Sequence, residues 1–364
     1  MGVDEKITEI EEEISKTPYN KATQHHIGKL KAKLARLKEE SLKRSSSKGG
    51  YGFGVKKTGD ATVVLVGFPS VGKSTLINKL TNAESPVAAY DFTTLDVVPG
   101  MMGYKGVSIQ LLDLPGVITG ASSGRGRGKE VLSIARIADL ILIIIDVRQI
   151  ERLNMVEKEL YDIGIRIDCL PPKMRINRTP RGGVNLTSNV KLKLINQETV
   201  REILNIYGIH NADVTLNEDV NEDRFIDSVM GNRTYVPSLI VLNKTDLADA
   251  KQLTDAAARL KKDFIAISAE KDVGLDELRE KIFKKLAFIR VYMKPHGGEP
   301  DYNEPMILRK GAKVGDACDK IHRSFRKTFK YARVWGSSAK YAGQRKGLDH
   351  ALADGDVVSI IRKK

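Results

Sequence analysis

The feature that most constrains this chain is the stretch Val63–Leu80, VVLVGFPSVGKSTLINKL, where an apolar run gives way to glycine and proline and then resumes with helical spacing. This pattern predicts a strand, a loop and a helix. Gly67, Gly72, Lys73 and Ser74 match G-x-x-x-x-G-K-[ST], a loop whose backbone N–H groups bind phosphate at a helix N-terminus. We expect Lys73 to reach the β- and γ-phosphates of a nucleotide and Ser74 to bind a magnesium ion.

Strands and helices alternate after this stretch, which indicates a layered α/β domain. Further apolar, β-branched runs occur at Val107–Leu112, Leu140–Ile145, Leu239–Leu242 and Phe264–Ile267. Such uninterrupted runs are typical of strands covered on both faces, so we predict a doubly wound, mostly parallel sheet. Ligands bind these sheets at the carboxyl ends of the strands.

Two segments resemble nucleotide switches. Thr94, in the polar loop AAYDFTTLDVVPG, is expected to close onto magnesium and the γ-phosphate, although Thr93 is an equal candidate from the residues alone. Asp113 and Gly116 form a D-x-x-G after the next strand, where the carboxylate would hold magnesium through water and the Gly116 N–H would sense the γ-phosphate. We expect both segments, 83–100 and 117–130, to reorder when the γ-phosphate leaves.

The sequence Asn243-Lys244-Thr245-Asp246 ends a later strand and predicts a guanine site. A carboxylate at Asp246 can accept hydrogen bonds from N1 and the 2-amino group of guanine, which adenine does not offer. Ser268 and Ala269, after the following strand, are expected to contact O6 of the base. Four motifs in this order, each at a strand end, predict a P-loop GTPase domain with GTP as its substrate.

The predicted catalytic residues are Lys73, Thr94 and Gly116, and the predicted magnesium ligands are Ser74, Thr94 and Asp113. The residues predicted to bind the nucleotide are Gly67, Phe68, Pro69, Ser70, Val71, Gly72, Lys73, Ser74, Thr75, Phe92, Thr93, Thr94, Asp113, Leu114, Pro115, Gly116, Val117, Asn243, Lys244, Thr245, Asp246, Ser268 and Ala269.

The net charge of +14 is concentrated at the two ends of the chain. Residues 1–59 hold 13 basic and 8 acidic side chains, residues 289–364 hold 17 and 8, and residues 60–288 hold 30 of each. This asymmetry favours a polyanionic partner for the ends, with improved solubility as the alternative. Two cysteines and no long apolar run predict a reduced, cytoplasmic protein without a disulfide framework, a signal peptide or a membrane span.

The regions outside the strand motifs divide the chain further. Residues 1–45 predict a helical hairpin, and residues 46–59 are Ser/Gly-rich and predict a linker to the GTPase domain at 60–288. The second arm of the hairpin carries lysines that either contact RNA or form a solvated face: Lys29, Lys31, Lys33 and Lys38. Residues from about 165 to 232 predict an inserted α+β subdomain, which is either a polyanion-facing surface or a structural insertion.

Residues 289–364 predict a small α+β domain with strands at Ile289–Met293, Pro305–Lys310, Tyr331–Trp335 and Asp356–Ile361 and a helix at Val314–Phe325. We expect it to bind structured RNA through a basic face, with protein docking as the alternative. Its basic residues are Lys320, Arg323, Arg326, Lys327, Lys330, Arg333, Lys340, Arg345 and Lys346, beside the rings of Tyr331, Trp335 and Tyr341. Because Trp335 lies in an apolar strand, we expect it in the core.

Over nearly its whole length the chain resembles the developmentally regulated GTP-binding proteins, a branch of the Obg-related GTPases. The resemblance rests on GFPSVGKST, YDFTTL, LLDLPGVITGASSGRGRGKE and NKTD, and the C-terminal unit from ILRKGA to DGDVVSIIRK resembles a TGS domain of β-grasp fold. It implies GTP hydrolysis with magnesium, coupled to ribosome or RNA association in translation. It also implies Ser74 and Thr94 as the magnesium ligands, and a monomer that works with a stabilising protein partner.

Two positions depart from related enzymes. Ras-type enzymes carry a glutamine after the D-x-x-G that orients the attacking water, and Val117 stands there in this chain. Slow intrinsic turnover is therefore expected, unless the missing group comes from elsewhere, and a nucleotide-gated scaffold that barely hydrolyses GTP is the alternative. Potassium-activated relatives often carry asparagine at the position of Ser70, so K⁺ as an activator stays open.

Overall fold

The computed structural model describes residues 3–20, 23–44, 57–81, 99–114, 128–260, 262–295 and 297–363. The helices in these ranges are α1 (Val3–Lys16), α2 (Gln24–Arg44), α3 (Lys73–Leu80), α4 (Gly128–Ile137), α5 (Arg152–Asp162), α6 (Gln197–Ile206), α7 (Glu222–Met230), α8 (Ala250–Leu260), α9 (Leu275–Leu286), α10 (Val314–Ile321) and α11 (Arg323–Lys327). Short 3₁₀ turns occupy Val147–Gln149 and Thr245–Leu247.

The strands are β1 (Ala61–Val66), β2 (Pro99–Tyr104), β3 (Val107–Asp113), β4 (Leu140–Asp146), β5 (Ile165–Ile167), β6 (Met174–Arg178), β7 (Val184–Ser188), β8 (Ala212–Leu216), β9 (Thr234–Val236), β10 (Ser238–Asn243), β11 (Phe264–Ala266), β12 (Phe288–Met293), β13 (Met306–Arg309), β14 (Phe329–Trp335), β15 (Gln344–Lys346) and β16 (Val357–Arg362).

The central sheet has the order β11-β10-β4-β1-β3-β2, with every pairing parallel except that of the edge strand β2 with β3. Every residue of β1, β4 and β10 is buried, because α3 and α9 cover one face and α4, α5 and α8 cover the other. The predicted doubly wound, mostly parallel sheet is confirmed. The sequence did not predict β2, whose first residues, Pro99 and Gly100, fall inside the expected switch segment 83–100.

Helix α1 packs on α2, and α2 packs on the inserted region, which contains the three-stranded sheet β6-β8-β7 and helices α6 and α7. Ala32 of α2 lies fully buried in the hydrophobic cluster of this region. Three of the four α2 lysines named above form ion pairs: Lys31 with Asp223 (2.7 Å) and Lys29 with Glu202 (3.7 Å) of the inserted region, and Lys38 with Asp162 of α5 (3.0 Å). Lys31 and Lys38, with side chains that are 24% and 17% exposed, therefore fit neither an RNA contact nor a solvated face, whereas Lys29, at 41%, fits a solvated face.

The C-terminal residues form a separate five-stranded sheet of order β13-β12-β16-β14-β15. The expected helix Val314–Phe325 is instead two helices, α10 and α11, because the backbone at His322 is extended. The expectation that Trp335 lies in the core is also wrong. The core side of β14 consists of Ala332 and Val334, and strand alternation sends Trp335 to the opposite face, where it is only partly buried.

The two domains meet at the amino end of β1. Phe288 and Ile307 of the C-terminal domain are buried in the hydrophobic cluster of α3 and α9. Lys320 approaches Asp60 at 3.2 Å, so it is turned towards the central sheet and not towards the expected RNA-binding face. No helix in the described ranges is long and apolar enough to cross a membrane.

Candidate nucleotide-binding site

The phosphate loop lies between the carboxyl end of β1 and the first turn of α3, where the sequence predicted it. Two of its glycines are required by close contacts. A Cβ atom on Gly67 would stand 2.4 Å from the carbonyl oxygen of Ile144, and one on Gly72 would stand 2.4 Å from Nδ2 of Asn243. Gly72 also has φ 93°, a left-handed conformation that disfavours residues with a side chain. The loop is therefore packed against β4 on one side and against the Asn243 motif on the other.

Lys73 is folded back over the loop. Its Nζ donates to the carbonyl oxygens of Gly67 and Phe68, each at 3.2 Å, and lies 4.0 Å from the carboxylate of Asp113. Burial lowers the pKa of the Lys73 ammonium. This cation is thus held at the phosphate loop by weak carbonyl contacts that a phosphate group can replace.

Ser74 and Asp113 come together where a magnesium ion was predicted. The Ser74 hydroxyl donates to Oδ2 of Asp113 at 3.3 Å, while Oδ1 of Asp113 is buried and has no hydrogen-bond partner among the described residues. Burial raises the pKa of the Asp113 carboxyl. A buried carboxylate oxygen without a hydrogen bond is unfavourable unless a cation lies close to it, and Lys73 is 4.0 Å away; hydroxyl and carboxylate oxygens are ligands that Mg²⁺ prefers. The residues present therefore fit a magnesium ion.

Asn243 joins the two halves of the site. Its Nδ2 donates to the carbonyl oxygen of Val71 at 2.8 Å, and its Oδ1 accepts from the backbone N–H of Ala269 at 3.0 Å. Asn243 is buried, so these bonds fix the phosphate loop relative to the segment after β11. Lys244 adds a second link, because its Nζ donates to the carbonyl oxygen of Ser70 at 2.6 Å.

Asp246 stands on the 3₁₀ turn after β10 with an exposed side chain. Its Oδ1 accepts from the hydroxyl of buried Ser268 at 2.5 Å, and that hydroxyl accepts from the N–H of Lys271 at 3.1 Å. The serine thereby holds the carboxylate in one orientation. The predicted base-binding residues Asn243, Lys244, Asp246, Ser268 and Ala269 are thus brought together at one edge of the sheet.

Sequence reasoning missed Asp146, the last residue of β4. Its buried carboxylate accepts from the side chain of Arg148 at 2.7 and 3.0 Å and lies 3.3 Å from Nζ of Lys244. These hydrogen bonds, above all those from Arg148, lower the pKa of Asp146 to about 2. The signal available in the sequence was an acidic residue at the end of an apolar strand, in ILIIIDVR, because that strand ends at the same edge of the sheet.

Another missed contact is a guanidinium over an aromatic ring: Arg152 lies 4.8 Å from the ring centroid of Phe68 in the phosphate loop. Leu114 is buried, and its N–H donates to the carbonyl oxygen of Leu65 at 3.2 Å. Six predicted site residues lie outside the described residues: Phe92, Thr93, Thr94, Pro115, Gly116 and Val117.

Comparison with known families divides the chain into three matched parts. A family described as "50S ribosome-binding GTPase" matches residues 62–175, the "C-terminal region of MMR_HSR1 domain" matches residues 181–288, and the TGS domain matches residues 289–362.

Several curated proteins are similar to the whole chain. A GTP-binding protein of Methanocaldococcus jannaschii is 56% identical over 367 residues, covering 100% of this chain and 94% of its own. Developmentally-regulated GTP-binding protein 2 of Homo sapiens is 45% identical over 366 residues, covering 100% of both chains. The developmentally-regulated GTP-binding protein 1 homolog of Dictyostelium discoideum is 47% identical over 372 residues with the same coverage. Among solved structures, the Schizosaccharomyces pombe YchF GTPase aligns with 84% of this chain and 99% of its own at 16% identity and a TM-score of 0.45.

Proposed function

The chain belongs to the family of developmentally regulated GTP-binding proteins, with a P-loop GTPase domain and a C-terminal TGS domain, and on that premise we propose that it hydrolyses GTP as a switch associated with the ribosome or RNA. The observation that carries the proposal is the double contact of Asn243, which holds the phosphate loop and the base-binding segment in one site.

Each described side chain has a part in this proposal. The first-turn N–H groups of α3 bind the phosphates, and Lys73 exchanges its carbonyl contacts for the β- and γ-phosphates. Ser74 and Asp113 would hold a magnesium ion, which supplies positive charge between the phosphates. Thr94 and Gly116 are proposed to contact the γ-phosphate.

Base selection is proposed to rest on Asp246. The carboxylate held by Ser268 accepts from N1 and the 2-amino group of guanine, and adenine would leave those acceptor positions unsatisfied. Ser268 and Ala269 are proposed to contact O6 of the base, for which the N–H of Ala269 would share or exchange its bond to Oδ1 of Asn243.

Turnover is proposed to be slow without a partner. A valine at position 117 cannot orient the attacking water by hydrogen bonding. A group from the ribosome or from a protein partner would have to orient the water, or a bound K⁺ ion would have to stabilise the charge of the transition state. The matched family description and the TGS domain support ribosomal or RNA association. We propose that the protein acts in the cytoplasm as a monomer with a stabilising partner.

Multiple-turnover phosphate release tests hydrolysis, with Lys73→Ala as the matched blank. The proposal expects magnesium-dependent release above that blank, increased by ribosomes or K⁺. Release equal to the blank under every condition, with GTP still bound, would favour the scaffold alternative.

A further inference from the structure

The five-stranded sheet of the C-terminal domain has a second face that its own hydrophobic core does not use. Strand alternation places Ala332 and Val334 of β14 on the core side and Tyr331, Arg333 and Trp335 on the other side. The same alternation in β12 places Met293 against the core and Tyr292 opposite to it. Aromatic and basic side chains therefore share one sheet face.

Strand register brings these side chains side by side. Trp335 pairs with Val357 of the central strand β16, and Val357 pairs with Tyr292 of β12. Arg333 lies between Ser359 of β16 and Arg345 of β15. On this face the central strand carries Val357, Ser359 and Ile361, and the rings and guanidinium groups of the neighbouring strands stand beside them.

Cations already lie on the rings of this face. Arg345 stacks on the ring of Tyr331 at 4.6 Å from its centroid, and the Nζ of Lys294 lies 5.8 Å from the ring of Trp335. Tyr302 packs on Tyr292 with 5.0 Å between ring centroids and remains mostly exposed. Rings and cations in this arrangement present flat surfaces and positive charge together.

The cations of this domain differ in whether they pair with a carboxylate. Arg290, Arg309, Lys320 and Arg326 each pair with a carboxylate. Lys294, Arg333 and Arg345 have no carboxylate within ion-pair distance in the ranges that the structure describes, as is also true of Arg323 and Lys327 on α11, and they share the sheet face with the paired Arg290 and Arg309.

Among the residues that the structure describes, the rest of the molecule covers one end of this face. Phe288 and Ile307 lie at that end and are buried against the GTPase domain, while Tyr292, Tyr331 and Trp335 stay partly exposed. The open part therefore combines partly exposed rings with three cations that lack acidic partners.

We propose that this open half-face, formed by Tyr292, Lys294, Tyr331, Arg333, Trp335 and Arg345, binds unpaired nucleotides of an RNA by stacking the bases on its rings. The inference rests on the proposed association with RNA and names the part of the RNA that is recognised. A duplex buries its base faces, whereas single strands, loops and bulges expose them. Unpaired bases stack on aromatic side chains while the cations bind the phosphates.

Trp335 is the single tryptophan of the chain, so its fluorescence reports this face alone. We expect the full-length protein to show quenching of this fluorescence on titration with an unstructured oligouridine of about twelve nucleotides. A duplex RNA of the same length should bind more weakly and leave the fluorescence unchanged. Quenching by the duplex and not by the single strand would overturn the proposal.

Variants on the sheet face and on the helices show which face of the domain binds RNA. Affinity is measured by the fluorescence anisotropy of a labelled oligouridine. Tyr292→Ala and Arg333→Ala should each weaken binding about tenfold, whereas Trp335→Phe keeps a ring and should bind nearly as well. The matched control is Arg323→Ala with Lys327→Ala on α11, which lies in the helical layer. Loss of binding in that control with retention in the sheet variants would move the site to the helices.

Salt dependence gives an independent measurement. Combined replacement of Lys294, Arg333 and Arg345 by alanine should reduce the slope of log binding constant against log salt concentration by about 2, because each phosphate contact to a single strand contributes about 0.7. Co-sedimentation of the same variants with ribosomes is measured in parallel, so that a failure of the stacking proposal can be distinguished from a failure of the proposed function. Unchanged co-sedimentation together with no oligouridine binding would refute the stacking face and leave the proposed function standing, with a protein as the occupant of the face.

Discussion

Arg309 on β13 of the C-terminal domain donates a hydrogen bond to the carboxylate of Asp139, which lies between α4 and β4 of the GTPase domain. The same carboxylate, whose side chain is only 7% exposed, accepts from Lys57 at 2.5 Å and from the N–H of Thr62 at 2.9 Å. Asp139 therefore ties three parts of the chain together: the segment before β1, β1 itself and the C-terminal domain. α4 begins inside the expected switch segment 117–130 and ends two residues before Asp139, so this helix connects the acid to a part of the chain expected to respond to the nucleotide.

Replacement of Asp139 by alanine should destabilise the domain junction. The buried N–H of Thr62 loses its acceptor and two cations lose their partner, so we expect a loss of about 1–3 kcal/mol in the free energy of unfolding. Hydrogen exchange should increase in β13 and α10 in the same variant. Asp276→Asn is the matched control, since its side chain is 97% exposed and should change stability by no more than about 0.5 kcal/mol. Equal exchange of β13 in the Asp139 variant and the wild type would contradict this role.

Asp246→Asn should change base preference. The amide cannot accept both hydrogen bonds from guanine but can donate to the 2-oxygen of xanthine, so GTP affinity should fall about a hundredfold while xanthosine triphosphate gains. Competition against a fluorescent guanine nucleotide measures both affinities. The exposed Asp255→Asn, on the nearby helix α8, should leave both unchanged. An unaltered GTP affinity in Asp246→Asn would remove this residue from the base site.

Gly72→Ala should abolish nucleotide binding. A methyl group there would stand 2.4 Å from Nδ2 of Asn243 and would break the bond of that amide to Val71. Gly311→Ala is a control with a similar φ, 88° against 93°, and no atom within 4 Å of the added methyl. Both variants share a backbone cost of about 1–2 kcal/mol, but only Gly72→Ala should lose binding in a titration with labelled GDP. Loss of binding in both would assign the effect to global destabilisation.

Asp146→Asn should destabilise the protein at neutral pH, and the difference from wild type should shrink in acid. The folded pKa of Asp146, about 2, lies below its ordinary value of 3.8. Its ionised form therefore contributes stability above about pH 3.8, and this contribution is lost as pH falls towards about 2. Urea midpoints of both proteins between neutral pH and pH 2 measure the change. A constant difference across this range would refute the assigned pKa shift.

The same Asp146 variant should also weaken nucleotide binding, since Lys244 loses the carboxylate that lies 3.3 Å from its Nζ. Asp354→Asn provides the control. Asp354 pairs with Arg290 in the C-terminal domain, and its pKa is likewise lowered by that partner, so its loss should lower stability at neutral pH by an amount that shrinks in acid, without changing GDP affinity.

The local motifs were predictable because their chemistry is encoded in a few adjacent residues. The phosphate loop needs a strand, glycines and a lysine within one short stretch, and the buried strands β1, β4 and β10 follow from uninterrupted β-branched runs. The family and the fold class inferred from these motifs are confirmed. The placement of Asp246 beside Ser268 also followed from the rule that parallel strand ends share one edge of the sheet.

Which partner a side chain meets was decided only by the tertiary structure. The sequence shows Lys31, Lys38 and Lys320 as basic residues available to RNA, yet each approaches a carboxylate that is distant in the chain. Trp335 looked like a core residue because its strand is apolar, and alternation with the smaller Ala332 and Val334 put it on the other face. Local pattern fixes which elements form, since it acts through backbone and periodicity. The choice of faces depends on the packing of elements far apart in sequence, which brings together Asp139 and Arg309.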